Sequence, residues 1–315
     1  MLTYDDVGQA ALNFLVAQAS YLEPGVYRIK YPQLNYADFV PIDTSAPPWV
    51  KSITFFSIDT VGQANWFNHM AKDVPLADID RKKYEVGVEM AAVGYGYTVE
   101  ELNQAMMVTP NIGLTDERAG AARRAYEEMC HNIAMYGDPR KNWMGLTNHT
   151  APPIINLTTT WASRLSGATP TPASILQDVN SVLTGIWQSS LTVEMANTLL
   201  LPLSVMTLLS VTQLPNTTMN LIEWIKKNNI YSNETGGDLL IRGVRGLDTA
   251  GATGNGRIIA YDRSPDVLKM HRPMSHQFLE VWRTGPLRYD IPGIFRLGGL
   301  EIRRPGAIRY IDGSC

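Results

Sequence analysis

The glycine-rich run GATGNGRI, residues 251–258, comes closer to a nucleotide-binding motif than any other stretch of this chain. Gly251 and Gly256 have the spacing of the two glycines in a phosphate-binding loop. Arg257 stands where that loop needs lysine, and Ile258 stands where it needs serine or threonine to hold Mg²⁺. The run also precedes a predicted strand, so no helix N-terminus would face a phosphate. We therefore interpret it as a mobile loop.

The other residues with catalytic or metal-binding potential lack the spacing that those functions need. None of the five histidines lies in an HExxH motif or in a Cys/His finger. No Gly-x-Ser-x-Gly nucleophile elbow is present. The paired carboxylates Asp78/Asp80 and Glu100/Glu101 lie in polar sequence, where solvated faces explain them. We predict no catalytic residue, no metal site and no cofactor.

Charge is unevenly distributed along the 315 residues. The net charge is −3, which excludes a general nucleic-acid binder. Charged residues make up only 18% of the chain, which is typical of a surface that other subunits cover. Residues 257–315 contain ten basic residues, nine of them arginine, against six acidic residues, so they carry +4 while the rest carries −7. Arginine forms bidentate bonds to carboxylates. This segment is either a solvated basic face or part of an interface between neighbouring copies.

Cysteine usage and hydropathy indicate a soluble protein that is cytoplasmic during its synthesis. Two cysteines, Cys130 and Cys315, do not make a disulfide framework. The N-terminus carries acidic residues early and has no basic stretch, which argues against a secretory signal. The longest apolar run, residues 198–211, is interrupted by Pro202 and is too short to cross a bilayer.

The first hundred residues predict parts that project from a body. A helix over Tyr4–Ala19, followed by a long irregular stretch, predicts an N-terminal arm. SITFFSID (residues 52–59) and YEVGVEMAAV (residues 84–93) predict two strands around a polar middle. An isolated two-stranded ribbon is marginal in water, so it would need a partner surface. Trp66 and Phe67, in its polar middle, are either a private core of that loop or anchors against a neighbour.

The remaining chain predicts a long helix, an α/β module and a set of terminal strands. Thr98 and Glu101 have capping-box spacing, and a helix of about 21 residues is predicted from Thr115 to the stop at Gly137. Residues 151–256 predict a helix, a buried strand and two further helices. RIIAYD, PLRYDI and GLEIRR predict strands near the C-terminus.

The C-terminal block RIIAYDRSPDVLKMHRPMSHQFLEVWRTGPLRYDIPGIFRLGGLEIRRPGAIRYIDG resembles that of tailed-phage major capsid proteins, which belong with the Hong Kong 97-type shell proteins and the encapsulins. The resemblance is specific over residues 233–313. It is weaker but in the expected order over residues 52–228, where the ribbon, YGYTVEELNQA, the long helix and NTLLLP follow one another. The first 50 residues match only in being an arm.

The resemblance implies an α+β fold of the Hong Kong 97 type. Its parts would be an N-terminal arm (1–49), an extended β-hairpin loop that overlaps an adjacent subunit (50–97), a peripheral domain whose first part holds the long spine helix (98–150), an axial domain (151–256) and the C-terminal strands of the peripheral domain (257–315). The terminal strands would pair with the base of the extended loop. Candidate contacts between subunits are Trp66, Phe67, Lys72, Arg81, Arg296, Arg303, Arg304 and Arg309.

The implied function is that of a major capsid protein. Copies would assemble through pentamers and hexamers into the icosahedral head of a tailed bacteriophage, around double-stranded DNA bound without sequence specificity. Assembly in the host bacterial cytoplasm would place the protein in the virion. Separate scaffold, portal and decoration proteins are further partners, and no membrane is involved. Two alternatives are an encapsulin-type nanocompartment shell and a soluble enzyme with an unrecognised site.

Overall fold

The computed structural model describes residues 31–32, 34–66, 76–107, 113–166, 171–215 and 217–315. The helix predicted over Tyr4–Ala19 and two candidate contact residues, Phe67 and Lys72, lie outside these ranges. Helices and strands are both present, in agreement with the predicted α+β class.

Helices occur mainly in the middle of the chain. In chain order they are α1 (Tyr36–Phe39), α2 (Val99–Met107), α3 (Leu114–Tyr136), α4 (Trp161–Ser166), α5 (Pro172–Ser189), α6 (Leu203–Val211), α7 (Leu221–Lys227) and α8 (Ile230–Thr235).

Strands cluster in the ribbon region and in the C-terminal third. They are β1 (Ile42–Asp43), β2 (Ser52–Val61), β3 (Asp78–Ala92), β4 (Tyr95–Thr98), β5 (Gly137–Asp138), β6 (Trp143–Met144), β7 (Ile154–Asn156), β8 (Thr198–Pro202), β9 (Leu240–Val244), β10 (Arg257–Tyr261), β11 (Leu268–His271), β12 (Met274–Phe278), β13 (Trp282–Arg283), β14 (Arg288–Ile291), β15 (Gly293–Gly298), β16 (Leu300–Ile302) and β17 (Ile308–Asp312).

A five-stranded sheet in the order β7-β17-β10-β8-β9 separates two hydrophobic cores. β10 runs antiparallel to β8 and β17, whereas β9 is parallel to β8 and β7 is parallel to β17. Alternate side chains enter opposite cores: Leu200 of β8 packs into the first core, and Leu199 and Leu201 pack into the second. Burial on both faces explains why β8 and β10 are nearly continuous apolar runs.

The two cores have different helical partners. In the first core, Tyr36 and Phe39 of α1 pack with Tyr126 and Ile133 of α3 and with strands from the C-terminal third. In the second core, helices α4 to α7 cover the other face of the sheet with apolar side chains such as that of Val179. The sheet therefore joins the long helix on one side to the helical module on the other.

Helix α3 is the predicted spine helix. It begins at Leu114 and contains 23 residues, so it is about 35 Å long. It ends at Gly137, whose φ of 75° lies in the left-handed region that glycine adopts without steric cost. The Gly137 N–H donates to the carbonyls of Asn132 and Ile133. The predicted helix and its stop are both confirmed.

The capping box predicted at the start of α2 is also confirmed. The Thr98 backbone N–H donates to the Glu101 carboxylate over 3.0 Å, and the Glu101 N–H donates to the Thr98 hydroxyl over 3.2 Å. Arg118 of α3 donates to both oxygens of the same carboxylate. These hydrogen bonds lower the pKa of Glu101 to about 2, and the bond from Arg118 has the largest effect. One carboxylate thus starts α2 and ties it to α3.

A four-stranded sheet, in the order β12-β15-β3-β2, carries the predicted ribbon. β3 is 15 residues long, and its two halves have different partners. Residues 78–87 pair with all of β2, from Val61↔Asp78 to Ser52↔Gly87. Residues 88–92 pair with β15. The predicted pairing between a terminal strand and the base of the ribbon is confirmed.

The buried ion pair between Arg257 and Asp312 fixes the end of the five-stranded sheet. The Arg257 Nε and Nη2 donate to the two carboxylate oxygens over 2.7 Å each, and its Nη1 donates to the Thr147 carbonyl over 2.8 Å. The guanidinium also lies 4.6 Å from the ring centre of Tyr310. The Ala252 N–H donates to Asp312 over 3.0 Å. This ion pair therefore connects three parts of the chain: the segment after the spine helix, the glycine-rich loop and the C-terminal strand.

We predict that Arg257→Met lowers the free energy of unfolding by about 3–5 kcal/mol, because it leaves the Asp312 carboxylate buried without a cation. Urea unfolding of dilute subunits measures the loss. The matched control is Lys227→Met, which removes a cation from the exposed pair with Glu223. That change is expected to cost under about 1 kcal/mol. Equal losses in the two variants would contradict the prediction.

Candidate assembly interface

The ribbon, defined as residues 52–61 paired with residues 78–87, has little contact with the body beyond its base. Residues 56–61 and 78–85 are all exposed. A two-stranded ribbon with both faces in water is marginal by itself. Its long exposed edges also offer unpaired backbone groups to another chain. The ribbon is therefore the first candidate for a contact between subunits.

One face of the ribbon is apolar. Phe56, Ile58 and Ile79 lie on it and are 64%, 60% and 53% exposed. Arg81, one of the predicted contact residues, lies directly opposite Ile58 on the same face. Trp66, beyond the paired strands, is fully exposed and so packs into no core of the described chain. Large exposed apolar side chains in one patch mark a surface that a partner covers.

The opposite face of the ribbon is acidic. Asp59 and Asp80 are directly opposite each other, and Asp78 is opposite Val61. Like charges at directly opposed positions destabilise a strand pair. The Lys82 ammonium lies 3.6 Å from Asp80, at an exposed site where it contributes little. This face would be stabilised by cations from outside the ribbon.

Arg303 connects the base of the ribbon to the body. Its guanidinium lies 4.7 Å from the ring centre of Phe55, whose ring stacks on that of Tyr84 at 5.1 Å. The Arg303 Nε donates to Glu301 over 2.6 Å. Cation–π and charge-assisted contacts of this kind hold the base of the ribbon against β16.

Glu301 belongs to a continuous chain of charged and hydrogen-bonding groups that reaches β1. The buried His271 ring contacts Glu301 through Nε2, and its Nδ1 lies 3.5 Å from the Asp43 carboxylate. The Lys269 ammonium donates to Asp43 over 2.5 Å. β1 pairs in parallel with β11, which places Asp43 opposite His271. The chain Lys269–Asp43–His271–Glu301–Arg303, here called the charged chain, thus ties β1 to the ribbon's base.

The two carboxylates of the charged chain are held in their ionised form. Burial raises the pKa of Asp43, but hydrogen bonds from Lys269 and Ser45 outweigh it and hold that pKa well below the usual range. Burial likewise raises the pKa of Glu301, and hydrogen bonds from His271 and Arg303 outweigh it and lower the pKa. Both groups therefore contribute to stability at neutral pH.

The other predicted contact arginines have partners inside the chain. The buried Arg296 donates to the Pro48 carbonyl over 3.4 Å, and its guanidinium lies 6.0 Å from the Trp49 ring. Arg304 forms an ion pair with Glu194 and is half exposed. Arg309 packs on Gly185, where an added Cβ would lie 1.9 Å from its Nη1. Contacts of these arginines with a neighbouring copy stay a prediction.

The glycine-rich loop has a structural role. Arg257, which replaces the lysine of a phosphate-binding loop, is bound to Asp312, and the Gly251 N–H donates to the Asn255 carbonyl within the loop. Within the described ranges, no cluster of His, Cys, Asp or Glu could hold a metal ion.

The helices of those ranges include none that is long and apolar enough to cross a membrane.

Most of the chain matches a known protein family. Residues 62–313 match the family described as Major capsid protein. The chain belongs to the major capsid protein family. It is therefore a structural subunit of a viral capsid. No curated protein matches the sequence of this capsid protein.

Solved structures confirm the Hong Kong 97-type capsid fold. The capsid of Myoviridae phage XM1 is similar with a TM-score of 0.78 at 15% identity, over 94% of this chain and 97% of the other. A structure from Microbacterium phage Oxtober96 gives 0.64 at 12% identity, over 96% and 98%. The capsid of a native GTA particle gives 0.62 at 8% identity, over 94% and 95%.

The charged chain of the capsid protein has no signature in the sequence that would predict it. Its members Asp43, His271 and Glu301 are far apart in sequence, and none lies in a motif. The available signal was weak: His271 ends a short run of alternating residues, LKMH, whose register with Asp43 is set only by the fold. A parallel pairing between residues 42–43 and a strand 228 residues later leaves no local pattern.

We predict that Asp43→Asn lowers the free energy of unfolding by about 2 kcal/mol at pH 7, because the amide loses the charged bond to Lys269. Because the pKa of Asp43 is lower in the folded than in the unfolded state, its carboxylate stabilises the fold fully at pH values above the unfolded pKa, near 4. That contribution is lost as the pH falls toward the folded-state pKa. The difference from the parent chain should therefore be smaller at pH 3 than at pH 7. Urea unfolding of dilute subunits at both pH values measures it.

The control for Asp43→Asn is Glu223→Gln, which weakens an exposed ion pair. It is expected to change the unfolding free energy by under about 1 kcal/mol at either pH. A loss for Asp43→Asn that grows on acidification would contradict the prediction.

Proposed function

We propose that copies of this capsid protein assemble into the closed icosahedral head of a tailed bacteriophage, as pentamers and hexamers around double-stranded DNA. One observation supports self-assembly most directly. The ribbon exposes Phe56, Ile58 and Ile79 on one face and opposed carboxylates on the other. A subunit that stayed alone would keep this apolar patch and these free edges in water. Coverage by neighbouring copies removes both costs.

We assign the parts of the subunit by the residue boundaries that the family resemblance implies. Residues 1–49 would be the arm, 50–97 the extended loop, 98–150 with 257–315 the peripheral domain, and 151–256 the axial domain. The five-stranded sheet combines β8 and β9 of the axial range with β10 and β17 of the terminal range. We therefore propose that the axial and peripheral parts of one subunit move as one unit during assembly.

The proposed role is structural, with no catalytic residue or cofactor. Packaged DNA would contact the inner face through its phosphates, without sequence readout. Scaffold, portal and decoration proteins would be separate partners, and assembly would take place in the host bacterial cytoplasm. The encapsulin alternative has the same fold, and its particles would hold protein cargo instead of DNA.

We predict that purified subunits form closed shells, visible by electron microscopy, and that shortening the ribbon's end abolishes them. The variant replaces residues 62–77 with Asn-Gly, a two-residue turn that joins Val61 to Asp78 and keeps their pairing. The subunit should stay folded, because the deleted residues lie beyond the paired strands. Its urea unfolding midpoint is the control and should match that of the parent chain.

Two outcomes would contradict the proposal. Normal particles from the shortened variant would show that the ribbon's end has no part in assembly. A parent chain that stays monomeric at every concentration and salt would remove the proposed self-assembly altogether.

A further inference from the structure

A surface groove lies beside the strands that follow the ribbon. It has a volume of about 470 Å³ and is lined by Gly94, Gly96, Trp282, Arg288 and Ile291, among others. We call it the glycine groove. Gly94 and Gly96 line it where β4 meets β14, and a Cβ at residue 94 would lie 2.3 Å from the Ile291 carbonyl oxygen, so the two backbones approach closely here.

The glycine groove combines an apolar wall with a cation. Trp282 is 69% exposed, and Leu287 and Val281 nearby are 63% and 55% exposed. The Arg288 side chain is 65% exposed, and its Nε donates to Asp290 over 3.0 Å. The two terminal nitrogens of that guanidinium form no hydrogen bond within the described ranges, which leaves two donor nitrogens for an incoming carboxylate. Exposed tryptophan and arginine are the residue types most enriched at binding hot spots.

The acidic face of the ribbon has the complementary chemistry. Asp59, Asp78 and Asp80 surround Val61, which is 58% exposed. An arginine next to this face would relieve the repulsion between the opposed Asp59 and Asp80. The apolar Val61 would meet the indole of Trp282. The free guanidinium nitrogens of Arg288 and the indole of Trp282 therefore match the carboxylates and the apolar side chain on the acidic face of the ribbon.

The two surfaces are at opposite ends of one strand. Asp78 begins β3 and Ala92 ends it, two residues before Gly94. A strand of 15 residues spans about 46 Å. The acidic face and the glycine groove of one chain are therefore too far apart to meet, and only a second copy can join them.

We propose that the acidic face of the ribbon of one capsid protein subunit docks in the glycine groove of a second copy. This inference rests on the proposed self-assembly and specifies one of its contacts. The contact is heterologous, because different surfaces of the two subunits meet, so it can repeat around a ring or across a shell.

A cysteine pair tests the contact directly. The variant carries Asp80→Cys and Arg288→Cys in a chain with Cys315→Ser, since Cys315 is exposed and Cys130 is buried. After assembly and mild oxidation, a non-reducing gel should show a ladder of linked subunits. The control replaces Arg288→Cys with Glu223→Cys, at an exposed site outside the groove, and should give no ladder. Shells without a ladder from the paired variant would overturn the proposal.

Charge reversal gives a second test that needs no disulfide. Asp59→Lys with Asp80→Lys, or Arg288→Glu alone, should lower the particle yield about tenfold, because like charges would then face each other. The triple variant restores opposite charges and should recover most of the yield. Adding Glu223→Lys instead of Arg288→Glu should not rescue it. If the particle yield of the triple variant does not recover while the parent chain forms shells normally, this contact alone is refuted. If the parent chain forms no shells, the proposed function is refuted.

Discussion

The ion pair between Arg257 and Asp312 is the constraint on which the arrangement of the other parts depends. It lies at one end of a sheet whose three central strands, β17, β10 and β8, contribute side chains to both cores, so neither side of that sheet can shift without exposing a core. The same guanidinium holds the carbonyl of Thr147, which follows the spine helix. A charge pair buried this completely needs all of its hydrogen bonds. Its geometry therefore fixes the spine helix, the glycine-rich loop and the C-terminus in one orientation.

The ribbon contributes no side chain beyond its base to either hydrophobic core. β3 pairs with β15 only over residues 88–92, and beyond that point the ribbon has no third strand within the described ranges. The charged chain and the contact of Arg303 with Phe55 hold its base. A rigid base with an exposed end presents the same surface to every neighbour, which reduces the conformational entropy lost on association. For the capsid protein, a firmly held ribbon is thus more useful than a flexible one.

The local features of this fold were predictable from sequence, and the long-range ones were not. The capping box at Thr98 and Glu101, the glycine stop of the spine helix and the two ribbon strands each depend on residues close in sequence. The sheet that joins β8 and β10 to β17 pairs residues far apart, and its strands carry no register signal because both faces are apolar. The same holds for Asp43 and His271. The resemblance supplied the fold class, while the pairing of individual charges needed the structure.

Charge pairing within the chain changes the interpretation of the basic C-terminal segment. Lys269 and Arg304 pair with Asp43 and Glu194, acids of the earlier part of the chain. Part of the imbalance between the two segments is therefore neutralised inside one subunit rather than between copies. Arg288 differs from these two cations, because its side chain stays 65% exposed near the exposed Trp282. The cations available to a neighbouring copy are then those whose side chains remain in water after folding, and sequence charge alone does not distinguish them from the buried ones.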